Sequence, residues 1–193
     1  MRNKKVYLLF SDTGSLLTKC INLYTKTTLN HASIAFDLEL TEVYSFGRKR
    51  PHNPFIGGFV RENLQTKIFH KARCAVYSFT ITEADYDQML YRIKEMEKHR
   101  HEYRYNFIGL FGVALNKELE RKNAYFCSQF IATILSECGI YQNSKPSCLT
   151  KPQDLMDWHQ LQLVYQGELS KYPFLSHEES TNKIIQSYEK VVG

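Results

Sequence analysis

Asn123-Ala124-Tyr125-Phe126-Cys127-Ser128-Gln129-Phe130 opens a helix with a cysteine at or near its start. Phe130, Ile131, Ile134, Leu135 and Cys138 recur at helical spacing and mark one apolar side. Gly139 follows as the C-terminal cap. At a helix start, unpaired backbone N–H groups and the positive end of the macrodipole favour a thiolate over a thiol. The thiolate is the nucleophile, and the same N–H groups can hold an oxyanion. This predicts a reactive, partly accessible Cys127. Cys138 lies on the apolar stripe and reads as a small inert hydrophobe, as do Cys20 and Cys74.

A second stretch, Asn30-His31-Ala32-Ser33-Ile34-Ala35-Phe36, reads as a strand. Alternation puts His31, Ser33 and Ala35 on one face and Ala32, Ile34 and Phe36 on the other. The small residues beside His31 would let a helix approach that face closely. A strand histidine facing a helix-start cysteine can take the thiol proton and return it to the leaving group. The two are 127 − 31 = 96 residues apart, so spacing alone does not bring them together.

Outward from these stretches, residues 5–10 read as a buried strand and 15–25 as a helix carrying Leu16, Leu17, Cys20, Ile21 and Tyr24. Glu42 to Phe46 forms a hairpin with the His31 strand. Residues 47–63 hold two Pro and three Gly and read as a long loop. A strand is expected over 73–80. Thr82 caps a helix running to about residue 98, with Tyr86, Met89, Leu90, Ile93 and Met96 as its core face. Short helices are expected over 107–115 and 152–159, and a last strand over 161–165. The order is α+β rather than alternating βαβ.

The chain has 193 residues, which fits one domain, here 1–193 with a core over about 5–170 and a C-terminal extension over 171–193. Hydrophobic residues are 43% and charged residues 23%, which excludes disordered and fibrous classes. No apolar stretch approaches the roughly 20 residues that span a bilayer. The basic start carries too short an apolar run for a secretory signal, so a cytoplasmic protein is expected. The net charge is 25 − 20 = +5, and its cations are scattered apart from Arg48-Lys49-Arg50, which reads as a solvated basic loop. No nucleic-acid partner is expected. Five cysteines without a Cys-x-x-Cys pair argue against a disulfide framework and a zinc site.

Taken together, Asn30-His31-Ala32-Ser33-Ile34-Ala35-Phe36 and Tyr125-Phe126-Cys127-Ser128-Gln129-Phe130 resemble the circularly permuted branch of the NlpC-type papain-like hydrolases. That branch includes the YiiX-like and YycO-like proteins and is related to the lecithin retinol acyltransferase group. Its histidine precedes its cysteine, as here. Leu16 to Leu29 resembles the family's helix before the histidine strand. Tyr103-Arg104-Tyr105-Asn106 resembles its aromatic segment, and Thr150-Lys151-Pro152-Gln153-Asp154-Leu155 its threonine-proline-aspartate helix start.

The resemblance implies a papain-like fold, with an antiparallel sheet or small barrel packed against the cysteine helix. It implies a Cys127–His31 dyad and an orienting polar residue on the strand after the histidine strand. Matching the hairpins puts that residue at Ser45, where the family often has Glu or a second His. Glu42, His52 and Glu62 are the alternatives. Gln129 is a candidate oxyanion donor, and Tyr105, Phe55 and Phe59 are candidates for lining the substrate pocket. The expected activity is hydrolysis of an amide or ester through an acyl-enzyme. The implied substrates are cell-wall-type peptides or lipid-like acyl groups. Neither metal nor organic cofactor is required. The competing expectation is a non-catalytic binding module, motivated by the missing carboxylate at position 45.

Overall fold

The computed structural model describes residues 2–12, 28–50, 53–69, 71–142 and 145–175. Its strands are β1 (Asn3–Asp12), β2 (His31–Ala35), β3 (Val43–Arg50), β4 (Asn53–Arg61), β5 (Arg73–Thr82), β6 (Arg104–Tyr105), β7 (Ala124–Tyr125) and β8 (Gln162–Glu168). Its α-helices among these residues are α1 (Glu83–Lys98), α2 (Phe107–Leu115), α3 (Cys127–Glu137) and α4 (Pro152–Met156). Six strands form one sheet in the order β4-β3-β2-β1-β5-β8, every neighbouring pair antiparallel. The fold is α+β, as the element order predicts. The expected helix over 15–25, with Cys20, lies outside the described residues, as does the chain beyond 175. Among the described residues no helix is long and apolar enough to cross a membrane.

Both faces of the sheet are covered, which is why β1 reads as an unbroken apolar run. Val6, Leu8 and Phe10 join a core with Met89 and Ile93 of α1 and with Phe130, Ile131, Ile134 and Leu135 of α3. Tyr7 and Leu9 point the other way, into a second core with Val76, Leu64, Phe69, Leu169 and Tyr172. Packing therefore continues past residue 170. The helix layer lies on the Ala32, Ile34 and Phe36 side of β2, not on the Ser33 and Ala35 side where small residues led us to expect it. The larger apolar side chains decide the docking face, because burial stabilises in proportion to apolar area.

The expected loop over 47–63 is instead mostly strand. β3 runs to Arg50 and pairs with β4 from Tyr44↔Arg61 to Arg50↔Asn53, with a register shift between Arg48 and Arg50. The Pro and Gly residues have sheet-edge meanings here. Pro54 sits on the edge strand, where a missing N–H is tolerated. Gly58 lies under the carbonyl of Tyr103 and the Lys49 side chain, leaving no room for a Cβ. Lys49 is exposed and makes two backbone contacts. Its Nζ donates to the carbonyls of Arg100 at 2.8 Å and Tyr103 at 3.0 Å, tying β3 to the segment before β6.

Other boundaries follow their local signals. Thr82 caps α1, its hydroxyl accepting from the Asp85 N–H at 3.2 Å. α3 ends with Gly139 at φ +69°, a left-handed conformation that glycine adopts without strain. α4 is shorter than expected, stopping at Met156, and the last strand is longer, reaching Glu168.

Candidate active site

His31 opens β2, and Ser11 is its partner across β1. Ser45 on β3 pairs with Val60 on β4. Glu62 lies two residues beyond Val60, so it shares the Ser45 face. Its backbone N–H continues the ladder by donating to the Val43 carbonyl at 2.8 Å. The sheet thus gathers His31, Ser33, Ser45 and Glu62 at one place.

The contacts between them are close. His31 Nε2 lies 2.6 Å from Glu62 Oε1. Ser33 Oγ donates to Glu62 Oε2 at 2.7 Å, and Ser45 Oγ donates to Oε1 at 2.8 Å. Both hydroxyls also lie 3.3 Å from His31 Nε2. The Glu62 side chain is 7% exposed and that of His31 16%. The short partner of the imidazole is therefore Glu62, and Ser45 acts mainly on that carboxylate. The carboxylate expected from the strand after the histidine strand comes from one strand further on. Ser11 is fully buried, and among the described residues its hydroxyl has no hydrogen-bond partner.

Burial by itself disfavours the charged imidazole. The Glu62 charge, hydrogen bonds to Cys127 and Glu62, and the Cys127 charge outweigh it, and the His31 pKa is pushed up to about 10. For Glu62, burial pushes the carboxyl up. The imidazolium and the bonds from His31, Ser33 and Ser45 win, holding it below its usual range. Both directions favour an imidazolium–carboxylate pair.

Cys127 is the first residue of α3. Its thiol is close enough to His31 to help raise the imidazole pKa, and its Sγ–H donates to the Asn30 carbonyl oxygen at 3.9 Å. Cys127 is only 3% exposed, which corrects the expected partial accessibility. The cause is its packing environment, with Phe126, Phe130 and Tyr105 all buried around the helix start.

Several bonds hold that helix start. β6 and β7 pair in parallel, Arg104 with Ala124 and Tyr105 with Tyr125, immediately before the cysteine. Ser128 Oγ donates to the Thr150 carbonyl at 2.7 Å. This ties α3 to the turn leading into α4, where Asp154 accepts from the Lys151 N–H at 2.8 Å.

The remaining candidates divide. Gln129 is buried, and its Oε1 accepts from the Phe126 N–H and from Asn106 Nδ2, each at 3.4 Å. Through that oxygen it caps its own helix and braces Asn106. Tyr105 is buried and senses the Cys127 charge, and burial raises its phenol well above the ordinary value. Phe59 is a core residue packed against Phe46 and Phe130, not a pocket wall. Phe55 lies on β4, and its side chain is outside the described set, as is His52. Glu42 serves elsewhere, 2.8 Å from Lys94 Nζ and 3.7 Å from Arg61.

Ser33 is the site residue that sequence reasoning passed over, taken only as a small neighbour of His31. Reading 53–61 as a strand would have pointed to Glu62 by parity. A 410 Å³ cavity between α1 and α3, with Arg92, Glu95, Tyr103 and Tyr125 in its wall, does not include Cys127, His31 or Glu62. Among the described residues, no group of three or more His, Cys, Asp or Glu side chains is arranged to hold a metal ion. Comparison of the chain with family models, with curated proteins and with solved structures finds no match.

Proposed function

We propose that the protein is a cysteine hydrolase of the permuted papain-like kind, with Cys127 as nucleophile, His31 as general base and acid, and Glu62 as the orienting carboxylate. The observation that carries this reading is the buried His31–Glu62 pair at 2.6 Å, with Cys127 at the start of α3 close enough to raise the imidazole pKa. The scissile bond is an amide or ester of a cell-wall-type peptide or a lipid-like acyl group.

In the first half-reaction the thiol proton is held on His31, so that the sulfur reacts as a thiolate paired with the imidazolium. Glu62 lowers the cost of that pairing by stabilising the imidazolium. The sulfur attacks the carbonyl carbon, a C–S bond forms, and the carbonyl π pair moves onto oxygen. Backbone N–H groups at the start of α3 are suited to hold that oxyanion. The tetrahedral species collapses, the C–N or C–O bond breaks, and His31 returns its proton to the leaving amine or alcohol. In the second half, His31 takes a proton from water. The resulting hydroxide attacks the thioester, and the carboxylic product leaves as sulfur recovers its proton.

The alternative, a binding module that retains the groove, was motivated by the absence of a carboxylate at Ser45. Glu62 supplies that group, while the burial of Cys127 still favours the alternative. Alkylation with iodoacetamide, mapped by mass spectrometry near neutral pH, separates the two. The hydrolase reading expects Cys127 to react much faster than Cys138, and His31→Ala to remove the difference. Equal slow rates at both cysteines would support the binding module.

A further inference from the structure

The cavity between α1 and α3 is built from two helix faces and a pair of rings. On α1 it takes Arg92 and Glu95, three residues apart, and on α3 Phe130, Ile134 and Glu137, at i, i+4 and i+7. Phe130 and Ile134 are buried and supply its apolar part. Tyr103, just before β6, and Tyr125, on β7, add two aromatic rings to the wall. Their centroids are 6.4 Å apart with planes at 40°, and Phe46 packs against both, at 6.0 and 5.2 Å. The rings are therefore fixed in place. At 410 Å³ the cavity falls within the roughly 300–1,000 Å³ of small-molecule sites.

The charged part of the wall holds more acid than the packing of the helices needs. Arg92 Nη2 lies 2.6 Å from Glu137 Oε2, and these two charges neutralise each other across the helices. Glu95 and Glu102 remain. Glu95 has the exposed Lys98 at 4.0 Å, and Glu102 has His99 at 3.3 Å and His101 at 3.7 Å. With His99 counted as neutral, the wall carries 1 − 3 = −2, in a chain whose net charge is +5. Burial raises the Tyr103 phenol; Arg92 opposes this, and Glu102 and Glu137 add to it. Burial also raises Tyr125, and Glu137 adds to it. Rings and carboxylates thus share one electrostatic environment. A cleft lined by one sign of charge with apolar walls concentrates counter-ions, and the negative faces of aromatic rings attract the same cations as the carboxylates.

We propose that this cavity binds a small alkyl diammonium ion, its ammonium groups on Glu95 and Glu102 and its methylenes over Tyr103 and Tyr125. Two positive charges match the surplus of two carboxylates. Ammonium N–H groups donate charge-assisted hydrogen bonds to carboxylates, which a quaternary ammonium cannot do. The methylenes find apolar surface on the rings and on Phe130. The wall includes neither Cys127 nor His31, so the site stands apart from the hydrolase reading.

The test is titration calorimetry of the full chain with 1,4-diaminobutane, 1-aminobutane and choline in one NaCl buffer. We expect 1,4-diaminobutane to bind at least about fivefold tighter than either monocation, the scale of one unit-charge contact in water. Glu95→Gln and Glu102→Gln should each weaken it about fivefold. Both side chains are partly exposed, so these variants should keep the circular dichroism spectrum and the Cys127 alkylation rate of the wild type. Tyr125→Phe should retain binding and Tyr125→Leu should weaken it several-fold; the two Gln variants decide the matter if Tyr125→Leu does not fold. Cys127→Ala should bind as the wild type does. Three outcomes would overturn the site: no heat beyond the NaCl control, equal affinity for the diamine and the monoamine, or indifference to either Gln substitution. Tighter binding of choline would overturn the diammonium assignment, and diamine binding lost in Cys127→Ala would overturn the location.

Discussion

Glu62 Oε1 lies 2.6 Å from Nε2 of His31, a residue 31 positions earlier and two strands away in the sheet. Ser33 and Ser45 hold the carboxylate from its two oxygens. A carboxylate so placed fixes the imidazole orientation.

Glu62→Gln tests that relationship most directly. The amide keeps the shape but loses the charge, and it can present N–H to the ring nitrogen. We expect a loss of hydrolase activity on the order of 10²–10⁴-fold, the scale seen when a triad carboxylate becomes an amide. Stability should fall by about 3–5 kcal/mol, as for breaking a buried ion pair. Denaturant unfolding and the rate of acyl-enzyme formation are the measurements. A change in neither would place Glu62 outside the working site.

Ser45→Ala should be milder. It removes one of the hydroxyls bonded to Glu62 and leaves Ser33 in place. A loss of about 1 kcal/mol, hence several-fold in rate, is expected. An effect equal to that of Glu62→Gln would mean that Ser45 acts on His31 itself.

The pair also sets a pH window for stability. His31 titrates above its free value of 6.5, so its contribution is full below about 6.5 and is lost as pH rises toward about 10. Glu62 titrates below 4.5, so its contribution is full above that value and is lost as pH falls through its lowered folded value. The stability difference between wild type and Glu62→Gln should therefore be largest between pH 4.5 and 6.5 and shrink on either side. Unfolding curves across that range give the answer. A difference that stays flat through both limits would mean that the pair is not ionised in the folded protein.

The cysteines provide an internal comparison. Cys127→Ala should abolish activity and, because the side chain is buried, cost about 1 kcal/mol of stability. Cys138 is only partly buried at the C-terminal cap of α3, so Cys138→Ser should cost less than about 1 kcal/mol and leave activity intact. Cys74 and Cys148, whose thiols burial pushes up to about 12 and about 11, should resist alkylation in the native state. Inactivation by Cys138→Ser with unchanged stability would reverse the assignment of roles.

What the sequence determined by itself is local. The apolar spacing of Met89 and Ile93 marks the buried side of α1, Thr82 caps it, and Gly139 bounds α3, because capping and periodicity are written in neighbouring residues. Cys127 at a helix start and His31 at a strand start were legible for the same reason. The location of Glu62 was not. Glycine and proline in 47–63 carry the same signal for a loop as for an edge strand pressed under a neighbour, and only the Tyr103 carbonyl over Gly58 separates the two. Which face of β2 receives the helix layer was likewise decided by the competition between its apolar and polar faces for a partner. The site depends on strand register, and register is a property of paired strands: a shift of one residue would turn Glu62 away from His31.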